Sequence, residues 1–121
     1  MSNKELVILF GSRVKGTAGK MSDTDIAVLD DHELELLEKG DIAEKMAARL
    51  GVSEDEVDVV DLRVASPLLQ YEVAKRGKLL SGSEHDFFRF RVLAWKRYQD
   101  TTKFRKRREE VLREYFDAPR N

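Results

Sequence analysis

Leu6-Val7-Ile8-Leu9-Phe10-Gly11-Ser12, followed after ten residues by Asp23-Thr24-Asp25-Ile26-Ala27-Val28-Leu29, is the stretch that decides the fold. Its first five residues form an apolar run that stops at a Gly-Ser pair, the pattern of a short strand buried on both faces and ended by a tight turn. The connecting residues are polar and contain Gly16 and Gly19, so they read as a loop. Residues 23–29 then predict a second strand whose alternation puts Asp23 and Asp25 on one face.

Working outward, residues 30–50 have helical spacing interrupted by Gly40. Asp41 and Glu44 stand as a capping pair before an Ile42, Met46, Leu50 stripe, and Gly51 is a natural stop. Val57-Asp58-Val59-Val60-Asp61-Leu62 predicts a third strand. Ser66-Pro67 reads as an N-cap with proline at the first helical position, opening a helix that ends near Gly77, and Lys78 to Leu80 add a short edge strand. From Glu84 to Phe116 neither proline nor glycine occurs, which predicts a long helix of about 50 Å. A domain of this size has a radius of gyration of roughly 14 Å. Such a helix must overhang or bend, and Asp100-Thr101-Thr102 is the expected break. The fold class is therefore α/β, a small mixed sheet with helices packed against it, divided into a core at 1–83 and a helical extension at 84–121.

The 121 residues leave room for one hydrophobic core and no separate substrate-recognition domain of ordinary size. There is no cysteine, which excludes disulfides and thiolate metal sites and suits a cytoplasmic setting. No apolar run is long enough to cross a bilayer, and no signal-peptide pattern opens the chain. The net charge of −1 conceals a split: residues 1–84 carry 11 Lys/Arg and 17 Asp/Glu, whereas residues 85–121 carry 11 and 6. The C-terminal part is thus a candidate surface for an acidic partner.

The chemistry is carried by the Gly-Ser turn and the Asp-x-Asp strand together. Glycine permits a tight turn and close approach to a ligand, and the turn offers backbone N–H groups and the Ser12 hydroxyl to a phosphate. Asp23 and Asp25 on one strand face can share hard cations with that phosphate. Asp58 becomes a third carboxylate if the third strand lies beside the second, giving a site for two Mg²⁺ ions: one at the attacking hydroxyl, one at the triphosphate of ATP. Asp61 has the opposite parity, so only one of Asp58 and Asp61 can point inward, and Asp58 is favoured.

Leu9-Phe10-Gly11-Ser12-Arg13 with Gly16 and Ser22-Asp23-Thr24-Asp25 resembles the signature of the DNA polymerase beta-like nucleotidyltransferase superfamily. The small size, and the phrase Val57 to Leu62 followed by Ser66-Pro67-Leu68-Leu69 and Tyr71-Glu72, is similar to the minimal nucleotidyltransferase (MNT) antitoxins encoded beside HEPN-domain RNase toxins. The resemblance implies that Gly11 and Ser12 bind the triphosphate and that Asp23, Asp25 and Asp58 bind magnesium, with Arg13 helping to neutralise the phosphates. It further implies AMP transfer from ATP to a tyrosine of a HEPN toxin. Such domains usually have a helix before the first strand. Here only Met1 to Glu5 precede it, so the sheet flank is expected to be covered by the C-terminal helix or another chain.

Other features read more simply. Asp30 and Asp31 are expected to cap the following helix, and His32 and His85 to lie on the surface. Phe88, Val92, Trp95 and Gln99 follow helical spacing and predict a core stripe, and Tyr71, Tyr98 and Tyr115 are expected to pack. The basic run Lys103 to Arg108 could bind nucleic acid, but a second apolar stripe of Phe104, Val111, Leu112, Tyr115 and Phe116 favours docking on a protein. A chain that only occludes its toxin through this helix, with the nucleotide site idle, is the alternative to catalysis.

Overall fold

The computed structural model describes residues 6–11 and 24–117. Its elements are β1 (Leu6–Phe10), β2 (Thr24–Leu29), α1 (Leu36–Leu50), β3 (Val57–Asp61) after a single 3₁₀ turn at Glu54–Glu56, α2 (Pro67–Arg76), β4 (Lys78–Ser81) and α3 (Glu84–Asp117). The strands form one mixed sheet in the order β3-β2-β1-β4. β1 runs antiparallel to both β2 and β4, and β2 is parallel to β3.

Strand alternation divides the apolar residues between two layers. Leu6, Ile8 and Ala27 meet Leu62, Val73 and α3 residues Phe87, Phe90 and Ala94 on one face. Val7, Ile26 and Val28 meet Leu34 and the Ile42, Met46, Leu50 stripe of α1 on the other. Each fully buried Ile, Leu or Val contributes roughly 1.5–3 kcal/mol relative to exposure, so these two layers fix which strand face carries which residue. Phe87, Phe90 and Ala94 of the C-terminal helix thus pack on one face of the sheet.

The helix after β2 departs from expectation at its start. α1 begins at Leu36, and Glu35 takes the N-cap position while the Glu38 carboxylate accepts from the Glu35 N–H at 3.0 Å. Asp41 and Glu44 lie inside the helix, and Asp30 and Asp31 cap nothing because their carboxylates serve the local turn and His32. Gly40 does not interrupt the helix; a Cβ there would meet nothing within 4 Å. At the other end Gly51 stops the helix as expected, in the left-handed conformation at φ +72°. Ser66 caps α2 through Leu69 N–H, with Pro67 in the first turn.

α3 runs unbroken for 34 residues. Thr101 and Thr102 do not break it because both hydroxyls donate back to the Tyr98 carbonyl, at 2.7 and 3.2 Å, which keeps them in the helix. Its buried stripe is also not the expected one. Phe88 (62% exposed), Val92 (46%) and Trp95 (54%) face solvent, and Gln99 is exposed, while Phe87, Phe90 and Ala94 enter the core. Two stripes at helical spacing lie side by side here, and contact with β1 and α2 selects between them. Tyr71 and Tyr98 pack as expected, stacked at 4.1 Å with Arg105 over the Tyr98 ring, but Tyr115 is 71% exposed. From residue 103 to residue 116 every side chain is exposed.

Gly40→Ala relieves the helix of glycine's backbone entropy without a clash, so it is expected to stabilise the fold by about 0.5–1 kcal/mol. Urea denaturation checks this; an unchanged or lower midpoint would contradict a regular helix at position 40.

Candidate functional site

Phe10 is the Cα partner of Asp25 across the β1–β2 ladder, so Gly11, the next residue, leaves the strand beside the Asp25 side chain. Gly11 has φ +90°, and a Cβ there would collide with the Asp25 carboxylate. Both facts demand glycine. Asp25 is in turn the Cα partner of Asp58 in the parallel β2–β3 ladder. Neighbouring strands lie about 4.8 Å apart and in-register residues point to the same face, so the two carboxylates stand side by side. That face is the one carrying Ala27 toward α2 and α3. Asp58 is exposed and Asp25 half-buried.

Asp61 points the other way and is 3% exposed. Its two carboxylate oxygens accept from the backbone N–H groups of Leu34 at 2.8 Å and Arg63 at 2.9 Å. These bonds satisfy a buried charge and tie the end of β3 to the segment before α1. Of the residues singled out from sequence, Gly11, Asp25 and Asp58 therefore converge at one end of the sheet, and Ser12, Arg13 and Asp23 lie outside the described residues. A pair of adjacent carboxylates beside a glycine turn is a donor set of hard oxygens suited to magnesium and a polyphosphate.

Residues 2–86 match the family model described as Polymerase beta, Nucleotidyltransferase. The chain belongs to this nucleotidyltransferase family. Among curated members it is 40% identical over 95 residues to the protein adenylyltransferase MntA of Shewanella oneidensis, covering 78% of this chain and 66% of that one. It is 36% identical over 99 residues to the protein of the same name from Aphanizomenon flos-aquae, covering 74% and 66%. The chain thus spans just under two thirds of the length of these curated relatives. Among solved structures, a toxin–antitoxin crystal structure with AMP-PNP superposes with a TM-score of 0.71 at 36% identity, covering 88% of this chain and 85% of that one. A tri-AMPylated Shewanella oneidensis HEPN toxin in complex with its MNT antitoxin gives 0.64 at 33% identity, with 88% and 82% covered. The mixed sheet, its flanking helices and the long last helix are the family's fold.

A second group of ionisable residues follows β2 in this chain. His32 Nδ1 lies 2.7 Å from Asp31 Oδ1, and Nε2 lies 2.7 Å from Glu38 Oε2. Hydrogen bonds to Asp31 first and Glu38 second raise the imidazole pKa to about 9. Hydrogen bonding with His32 first and with Asp30 second holds Asp31 below the usual carboxylate range. Glu38 is lowered by the Glu35 N–H first and by His32 second. Asp30, Asp31 and His32 have ligand atoms within 4.8 Å of one another, but an imidazolium that donates from both nitrogens has no lone pair for a metal. The cluster is a charged clasp across the start of α1. Its signal in the sequence is His32 flanked by acids at 31 and 38, a spacing not matched to any metal pattern.

Because the folded pKa of His32 lies above its unfolded value, its stabilising effect is full below about pH 6.5 and disappears as pH rises through about 9. NMR titration of the His32 ring is expected to give a midpoint near 9, falling toward 6.5 in the Asp31→Asn, Glu38→Gln double variant. A midpoint near 6.5 in the wild-type chain would show that the clasp does not form.

Proposed function

We propose that this chain is a Mg²⁺-dependent protein adenylyltransferase that transfers AMP from ATP to a tyrosine of a cognate HEPN-type RNase toxin and so acts as its antitoxin. The observation that carries the reading is the register of Asp25 with Asp58 beside Gly11 in a chain of the nucleotidyltransferase family. Support comes also from the names of the relatives and from the AMP-PNP and AMPylated-toxin complexes among the structural neighbours. The tri-AMPylated toxin in one neighbour supports transfer of more than one AMP to a toxin. ATP as substrate and the lack of cysteine favour a cytoplasmic setting, and among the described residues no helix is long and apolar enough to cross a membrane.

On this reading Gly11, Ser12 and Arg13 seat the triphosphate, and Asp23, Asp25 and Asp58 hold two magnesium ions. The glycine turn brings backbone close to the phosphates, and the half-buried Asp25 lies between that turn and Asp58. Asp58, exposed on the neighbouring strand, faces the incoming hydroxyl and orients it toward the α-phosphorus. The acceptor oxygen forms the new P–O bond, the bond to pyrophosphate breaks, and the hydroxyl proton is lost. Magnesium, when bound, neutralises phosphate charge and lowers the pKa of the attacking hydroxyl.

Incubating the chain with its partner, Mg²⁺ and labelled ATP is expected to label the partner. Asp25→Asn or Asp58→Asn should reduce transfer at least about 100-fold, since a direct ligand matters no less than an outer-shell one. Asp61→Asn should act mainly on stability instead. Undiminished transfer by Asp25→Asn, or no label from the wild-type chain, would sink the reading. Gly11→Ala is expected to abolish transfer because its Cβ displaces the Asp25 carboxylate.

One observation favours a second reading, neutralisation by occlusion alone: the distal half of α3 exposes Phe104, Val111, Leu112, Tyr115 and Phe116. Protection of cells by the Asp25→Asn, Asp58→Asn double variant at equal expression would select it over catalysis.

A further inference from the structure

The first half of α3 carries a stripe that the core leaves out. Phe88, Val92 and Trp95 are all exposed and follow one another at helical spacing. With Tyr71 and Ala74 of α2 they line an open groove of about 390 Å³ between the two helices. Contiguous exposed apolar surface rimmed by charge marks a docking site. The rim here is positive. Lys75 lies over the Tyr71 ring at 5.8 Å on the α2 side, and Arg91 over the Phe87 ring at 5.7 Å on the α3 side. Among the described residues no carboxylate lines the groove. The charge extends along the helix: from residue 87 to residue 108 the sequence has nine Lys/Arg and a single acid, Asp100.

The walls are held in place. Tyr71 stacks on Tyr98 with 4.1 Å between ring centroids, and Arg105 lies over the Tyr98 ring, so α2 is clamped to α3 beside the groove. A ligand therefore meets a formed slot and need not order its walls. Charge decides among the occupants. In a two-fold dimer the same patch would face itself, bringing Lys75 and Arg91 against their own copies. A nucleic acid suits it less: the chain has a net charge of −1, and Val92 and Ala74 interrupt the rings on which bases would stack. An apolar slot between two helices with cations at its edges fits an amphipathic helix whose apolar residues recur every three to four positions and whose flanks carry Asp or Glu.

We propose that the α2–α3 groove seats an acidic amphipathic helix of the protein partner, with its apolar side on Phe88, Val92 and Trp95 and its carboxylates at Lys75 and Arg91. That the partner is the toxin rests on the reading above. The groove is separate from the exposed distal stripe, because Phe104, Val111 and Tyr115 lie roughly 140–180° around α3 from Phe88 at about 100° per residue. The one helix thus offers a protein two faces. The groove sets affinity for the partner, and the transfer step is left to Gly11, Asp25 and Asp58.

Calorimetric titration of the full chain with the purified toxin partner, at low and at high salt, tests this. The Phe88→Ala, Trp95→Ala double variant is expected to bind at least about tenfold more weakly at both salt concentrations. Lys75→Glu, Arg91→Glu is expected to lose at least about tenfold at low salt and less at high salt, where exposed charges are screened. All four side chains are exposed, so each variant alone should melt within about 3 °C of the wild type. With labelled ATP, both variants are expected to raise the KM for the partner and keep kcat within about twofold. Unchanged affinity in either variant, or a fall in kcat at saturating partner, would overturn the groove. So would self-association of the wild-type chain, or its binding to a single-stranded RNA of about 20 nucleotides, that disappears in Phe88→Ala, Trp95→Ala. Groove-dependent binding by a wild-type chain that transfers no AMP supports the groove and overturns the transfer reading; transfer indifferent to both variants does the reverse.

Discussion

The pairing of β2 with β3 in parallel, Asp25 against Asp58, is the constraint on which the rest of the structure depends. Parallel strands cannot be joined by a hairpin and need a crossover, and residues 30–56, with α1 at their centre, provide it. A slip of one residue in β3 would send Asp58 into the layer beneath α1 and bring a valine beside Asp25. Asp61 guards against this slip. Its buried carboxylate accepts from the Leu34 N–H only in the observed register, so a displaced strand would take that donor from it and leave it with the local Arg63 N–H. Asp58 lies beside Asp25, and Asp61, three residues on and of opposite parity, is occupied in holding the strand.

The same economy appears across the sheet. The face covered by α1 carries apolar residues and the structural carboxylate, and the face toward α2 and α3 carries the exposed one. Gln70 does for the second layer what Asp61 does for the first, joining the turn after β3 to α3 through a buried, satisfied polar group. Both are polar groups whose burial costs little while their partners are present and a great deal when they are lost, which makes them determinants of geometry more than of net stability.

Much of this was legible in local pattern. β1, β3, α2 and the stop at Gly51 follow from runs, caps and breakers a few residues long, and Gly11, Asp25 and Asp58 follow from parity along a strand. What was not legible depended on competition between equivalent local signals. Asp30-Asp31 and Asp41 both look like helix caps, but His32 and the interior of α1 claim them, and the start falls to Glu35. α3 carries two apolar stripes, and only contact with β1 and α2 selects Phe87, Phe90 and Ala94. The groove between α2 and α3 joins Tyr71 and Ala74 to Phe88 and Trp95 across separate helices, and no linear motif announces it.

The exposed second half of α3 has one more consequence. Starting a helix is the unfavourable step, and extending one costs little; here the start is made where Phe87, Phe90 and Ala94 are locked into the core. Residues 103–116 therefore inherit helical order from packing elsewhere in the molecule. The backbone entropy of this segment is spent during folding, before anything touches it. Its aromatic and basic side chains stand on a preorganised rod, so that a protein meeting them need not supply the free energy of ordering the chain.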